Sequence, residues 1–214
     1  VSEKLTLSSL PLFPLGAVLF PGGVLPLRIF EVRYLDMIRR CHQIGAPFGV
    51  VTLTQGAEVR RPGAAVEAFH AVGTLATITL LETPQPGLML IHCQGEQRFH
   101  ITERQQLKHG LWIAEIERLD DDLPVPVPAD LKNTADALHK LMDTLQTRQN
   151  GQQGPAHPLF SGLPRFEDCG WLANRWCELL PIPLELRQRL MALDNPLVRL
   201  ELVSDILGRT GIVS

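Results

Sequence analysis

The sequence lacks any run of basic residues. Arg39 with Arg40 and Arg60 with Arg61 are isolated pairs, and the net charge is −3 with a pI near 6.2. Phosphate backbones need clustered positive charge, so this balance argues against a nucleic-acid partner and assigns the arginine pairs to solvated surface. The sequence also lacks a CxxC. Its four cysteines, Cys41, Cys93, Cys169 and Cys177, match no zinc-ribbon or zinc-finger spacing. Cys41 beside His42, and His92 beside Cys93, could ligate a metal only if folding brought the two pairs together. Reduced thiols in a cytoplasmic protein are expected instead, with Cys93 a small hydrophobe in an apolar strand, and no metal or other cofactor.

Charge is missing from residues 5–27. Such a stretch superficially resembles a membrane span, but Pro11, Pro14, Pro21 and Pro26 interrupt it. Each proline removes a backbone donor and costs about 3 kcal/mol inside a helix. Short buried strands joined by turns are expected there, and no membrane partner. Also absent are G-x-x-x-x-G-K-[ST], which would cradle a triphosphate, and the G-x-S-x-G elbow. The four lysines, Lys4, Lys108, Lys132 and Lys140, stand in no hydrolase-like context.

What is present suits a packed globular chain: 45% of the residues are hydrophobic and 20% charged. Residues 24–30 (VLPLRIF), 48–54, 72–81, 88–93, 98–102 and 112–119 read as strands from their β-branched content and alternation. Gln94, Gly95 and Glu96 look like a turn between two of them. One helix, residues 32–43, carries Tyr34, Leu35, Ile38 and Cys41 on an apolar stripe. Short strands in this number suggest a closed or partly closed barrel, which removes exposed edges.

The composition shifts at residues 120–128 (DDDLPVPVP), an acidic and then proline-alternating spacer. Leu131, Ala135, Leu138, Leu141, Met142 and Leu145 mark a helix face beyond it. Residues 149–158 are polar and rich in glycine and proline, and read as a loop. Helical spacing resumes near Phe166 with Leu172, Trp176, Leu179 and Leu180, and Pro183 suits the first turn of the next helix. Asp194 or Asn195 caps a last helix bearing Leu197, Leu200, Val203 and Leu207. The expected organisation is a β subdomain over 1–122 and a helical bundle over 123–214.

Residues 12–22 (LFPLGAVLFPG) and 25–34 (LPLRIFEVRY) strongly resemble the opening of the Lon protease amino-terminal, substrate-binding domain family. In order after them, residues 73–76 (GTLA) resemble its central glycine strand and residues 95–99 (GEQRF) its G-x-x-R-F hairpin. Residues 178–183 (ELLPIP), with Arg187, Gln188, Arg199, Leu200 and Glu201, look like its helical bundle. The resemblance implies an α+β fold: a PUA-like six-stranded pseudobarrel with one early helix, then a carboxy-terminal helical bundle. Within it, residues 14–21 would turn a barrel corner, with Gly16 and Gly22 supplying conformations that other residues avoid. Lon proteases continue into an ATPase and a Ser–Lys peptidase. The sequence shows neither motif set and closes at Ser214, so a free-standing, non-catalytic domain is expected.

The resemblance implies a binding module for unfolded or partly folded protein segments, with an ATP-dependent protease as a further partner and an adaptor or client-recognition role. Strand addition at an incompletely paired barrel edge would give such binding a physical basis. Arg28, Phe30, Arg33, Tyr34 and Met37, at the strand–helix junction, are the candidate peptide contacts; the alternative puts Phe30 and Tyr34 in the core. An enzyme built on His70 or His100 with Glu96 or Glu103 has too scattered a set of groups. RNA binding, as in other PUA-like folds, conflicts with the acidic balance. Small-molecule sensing in related architectures uses a separate zinc-bearing domain with CxxC motifs, which this sequence lacks.

Overall fold

The uncharged, proline-interrupted stretch forms two strands with turns between them, as read. The structure, a computed structural model, describes residues 6–59, 66–150 and 161–213, and its first strand, β1 (Thr6–Leu15), contains both Pro11 and Pro14. Pro11 pairs only with β7 (Trp112–Arg118) and Pro14 only with β3 (Phe48–Gln55). A proline without N–H is tolerated where a strand has one neighbour, because no ladder bond need break there. The chain divides into two compact units, Val1–Asp121 and Asp122–Ser214.

In the first unit, β1 and β3 are followed by β4 (Ala68–Phe69), β5 (Val72–Gln85) and β6 (Leu88–Gln106), with β2 (Val24–Ile29) preceding the helix α1 (Val32–Ile44). Pairing runs β1–β7–β6–β5–β3 and returns to β1 through a parallel contact, closing a barrel; β2 adds to β6 and the two-residue β4 to β3. This is the pseudobarrel with one early helix. β1 feeds two apolar clusters, Leu10 and Leu12 into one, Phe13 and Leu15 into the other. Burial on both faces explains why residues 10–15 of it are continuously apolar rather than alternating. The α1 stripe holds as read: Tyr34, Leu35, Ile38 and Cys41 are buried, and Gly45, at φ 64°, ends the helix with a left-handed cap.

Two local expectations are corrected. Gln94, Gly95 and Glu96 form no turn, and GEQRF no hairpin, because β6 runs unbroken for 19 residues. Gly95 is needed for close approach instead: a Cβ there would sit 2.2 Å from the Phe20 carbonyl oxygen, and Gly95 exchanges backbone hydrogen bonds with Gly22 and Gly23. At the corner, Gly22 adopts φ 73° as expected, whereas Gly16 is not left-handed. The Gly16 amide donates to Glu58 Oε1 at 2.6 Å.

The second unit is helical. A 3-10 turn (Ala129–Leu131) leads into α2 (Lys132–Asn150), followed by α3 (Cys169–Leu179), α4 (Leu184–Ala192) and α5 (Pro196–Arg209). The loop read at 149–158 overlaps the end of α2 at residues 149 and 150, and its remainder lies outside the described residues. Helix α3 starts at Cys169, where Asp168 accepts from the Trp171 amide at 3.0 Å, three residues later than the periodicity suggests. Residues 169–177 are all buried, the polar Asn174 and charged Arg175 among them. Pro183 is the N-cap of α4, one position before the expected first turn. Asn195 caps α5 by accepting from the Leu197 and Val198 amides, and Leu200, Val203 and Leu207 are fully buried beneath it. No helix among the described residues is long and apolar enough to cross a membrane.

Candidate functional site

Burial separates the five candidate contact residues. Arg28 and Phe30 are exposed, Phe30 at 52%, whereas Arg33, Tyr34 and Met37 are buried on α1. Sequence spacing put them on one short segment, but a strand followed by a helix turns some side chains outward and others in.

Arg33 is occupied internally. Its Nη1 donates to Glu67 Oε1 at 3.0 Å and to the Gly110 carbonyl at 2.8 Å, and its Nε to Glu31 at 3.2 Å. Glu67 also accepts from Gln106 Nε2 and Trp112 Nε1, each at 3.3 Å. Burial alone would raise the Glu67 carboxyl, but backbone hydrogen bonding and the Arg33 and Trp112 donors outweigh it and hold it below its usual range. Tyr34 stacks on Phe13 with ring centroids 4.0 Å apart, and burial drives its hydroxyl far above the ordinary phenol range. Neither Arg33 nor Tyr34 presents a free surface. They brace α1 against the barrel.

Met37 leads to a site that the other four candidate residues do not touch. With Arg40, Cys41 and Ile44 it forms the α1 side of an apolar pocket of about 490 Å³; Ala46 and Pro47 continue it, and Leu10, Pro11, Leu111 and Ile113 line it from β1 and the region of β7. That volume lies within the range of small-ligand and side-chain pockets. Ile44 is 77% exposed although it lies three residues beyond Cys41 on the same helical stripe. The stripe therefore outruns the core and leaves an apolar overhang at the pocket. The sequence signal was this surplus position, but no pattern in α1 alone shows where the core ends.

The pocket carries little chemistry. Cys41 is buried, and its thiol is raised by burial, so it is held as the unreactive thiol. Burial likewise raises Cys169, and pushes Cys93 and Cys177 up to about 12. Cys41 with His42 and His92 with Cys93 make no metal site: among the described residues no group of three or more His, Cys, Asp or Glu side chains could hold an ion. His100 is an exposed strand residue opposite Val72, and Glu103 lies opposite Glu115.

The profile of the ATP-dependent protease La (LON) substrate-binding domain matches residues 9–209. Among curated proteins, the Lon protease of Anaeromyxobacter dehalogenans is 30% identical over 208 residues, which is 94% of this chain and 23% of that protein. Lon protease 2 of Myxococcus xanthus is 29% identical over the same shares. The chain thus spans about a quarter of the length of these relatives. Among solved structures, a Lon N-terminal domain protein from Xanthomonas campestris aligns with a TM-score of 0.70 and 27% identity, covering 93% of this chain and 98% of that one. The N-terminal domain of a Mycobacterium avium complex Lon protease shares the fold at a TM-score of 0.56 and 16% identity, over 92% and 96% of the two chains.

Proposed function

The chain belongs to the family of Lon substrate-binding domains, and from that membership we propose that it recognises protein or peptide segments exposing apolar side chains, without chemistry of its own. The observation that carries the proposal is the open apolar pocket beside α1, with Ile44 exposed at its edge. A solvent-facing apolar concavity gains free energy by covering itself, at about 25 cal/mol per Å² of apolar surface removed from water. Arg28, Phe30 and Met37 are assigned to client contact, and Arg33 and Tyr34 to holding α1 in place. Delivery of clients to an ATP-dependent protease, as an adaptor, belongs to the same proposal, as does a cytoplasmic location, which suits four free thiols.

The test is titration of a labelled, permanently unfolded protein into the full chain and into an Ile44→Asp variant. Saturable binding is expected, weakened about tenfold by placing a charge where apolar surface is to be buried. Absence of saturable binding to any apolar-rich unfolded protein overturns the proposal. For the adaptor role, degradation of the same client by a purified Lon protease should accelerate when the chain is added, and an unchanged rate rejects it.

A further inference from the structure

The pocket lies where the barrel seam is incomplete. β3 pairs with β1 only from Leu12 onward, opposite Gly49. Among the described residues, Thr6, Leu7, Leu10 and Pro11 of β1 pair with β7 alone. The segment that would extend β3 backwards along this edge, Ala46 and Pro47, lines the pocket instead. Among the described residues, one edge of β1 is thus left without a strand neighbour next to an apolar cavity. An unpaired edge is the usual acceptor for strand addition, in which main-chain hydrogen bonds give affinity and neighbouring pockets select side chains.

The same edge is bent at the pocket. The β1–β7 register shifts between Leu7 and Leu10, so that Ser8 and Ser9 stand against Glu115 alone. Ser9 has φ 61°, and is the non-glycine residue in the left-handed region among the described residues. Side chains enter that region at a cost, and glycine is the common choice in a bulge of this kind. Ser9 lines the pocket, so the bulge turns the strand at its mouth.

Charge supplies the third constraint. Arg39 is engaged by Asp36 at 3.0 Å, whereas the exposed Arg40, which lines the pocket, has no ion-pair partner among the described residues. An apolar cavity beside a free edge and an unneutralised guanidinium fits one kind of occupant. Resting on the client-recognition reading above, we propose that an extended client segment adds along the open edge of β1, drops one apolar side chain into the pocket, and sets the carboxylate of an adjacent Asp or Glu against Arg40. The selected class is therefore an apolar residue next to an acidic one in a stretch able to lie extended.

The test uses fluorescence anisotropy of labelled eight-residue valine–threonine peptides on the full chain. One carries a central Leu-Asp, a second Leu-Lys, a third Gly-Asp, and a fourth is the Leu-Asp peptide methylated on alternate backbone nitrogens. Leu-Asp is expected to bind roughly fivefold more tightly than Leu-Lys, the upper range for an exposed ion pair, and Arg40→Glu should invert that order. Gly-Asp should lose most of the affinity, and backbone methylation should weaken binding about tenfold through lost ladder bonds. Ala46→Trp, which fills the pocket, should abolish saturable binding of every peptide. If unfolded protein and peptides bind but charge swap, methylation and Ala46→Trp leave the affinities unordered, the edge site is overturned while client recognition stands. If neither peptide nor unfolded protein binds, both fail together.

Discussion

Arg199 grips Asp122 with two parallel hydrogen bonds, Nη1 to Oδ2 at 2.5 Å and Nη2 to Oδ1 at 3.2 Å. Asp122 opens the helical unit and Arg199 lies on α5, 77 residues later, buried to 1% exposure. Asn174 and the Leu193 carbonyl accept from the same guanidinium. Removing Asp122 would strand a buried cation. Asp122→Ala should cost about 3 kcal/mol in urea unfolding, whereas Asp122→Ala combined with Arg199→Met should recover most of the loss, because the uncompensated charge is then gone.

Glu67 predicts acid sensitivity in the barrel unit. Its folded pKa lies below the ordinary value, so its contribution is complete above the unfolded pKa of about 4.3 and is lost as pH falls through the folded one. Thermal unfolding between pH 5 and pH 3 should show a steeper loss of stability in the natural protein than in Glu67→Gln. Equal slopes would mean that the Arg33 contact does not bias that carboxyl.

Glu178 predicts the opposite sign. Burial raises its carboxyl to about 8, against the pull of Arg175 and Arg187. In the window between its unfolded and folded pKa values the folded protein keeps a proton that the unfolded chain has released. Stability should therefore fall as pH climbs from about 4.3 towards 8 and level off above. Glu178→Gln should flatten that limb, as read by melting temperature at pH 5, 6, 7 and 8.

Gly95 predicts intolerance of a single methyl group. Because the obstacle is the Phe20 backbone, 2.2 Å from the added carbon, no rotamer change relieves it. Gly95→Ala should cost at least 1–3 kcal/mol, the ordinary range for overpacking, whereas Gly87→Ala, where nothing lies within 4 Å, should cost only what φ 78° imposes.

Legibility followed the range of the forces involved. The α1 stripe, the Asn195 cap and the leucine face of α5 depend on residues a few positions apart, so spacing revealed them. The unbroken run of β6 through Gly95 did not show, because that glycine answers to Phe20, some 75 residues earlier in sequence; a turn and a close approach ask for the same residue. Arg33 read as a surface contact because arginine is usually exposed, and its burial depends on Glu67, 34 positions away. Of the five candidate contacts, Met37 alone lines the pocket. The rest of the pocket exists because β3 starts late beside β1, a matter of register that no local pattern encodes.

The unbroken β6 has a consequence for how the barrel opens. That one strand is the common neighbour of β2, β5 and β7, so removing it from the sheet breaks three ladders at once. Amide exchange along residues 89–101 should proceed only through opening of the whole barrel, at one shared free energy, while amides of residues 6–10 exchange through smaller, independent fluctuations. The barrel thus joins a slow-exchanging spine to a labile edge.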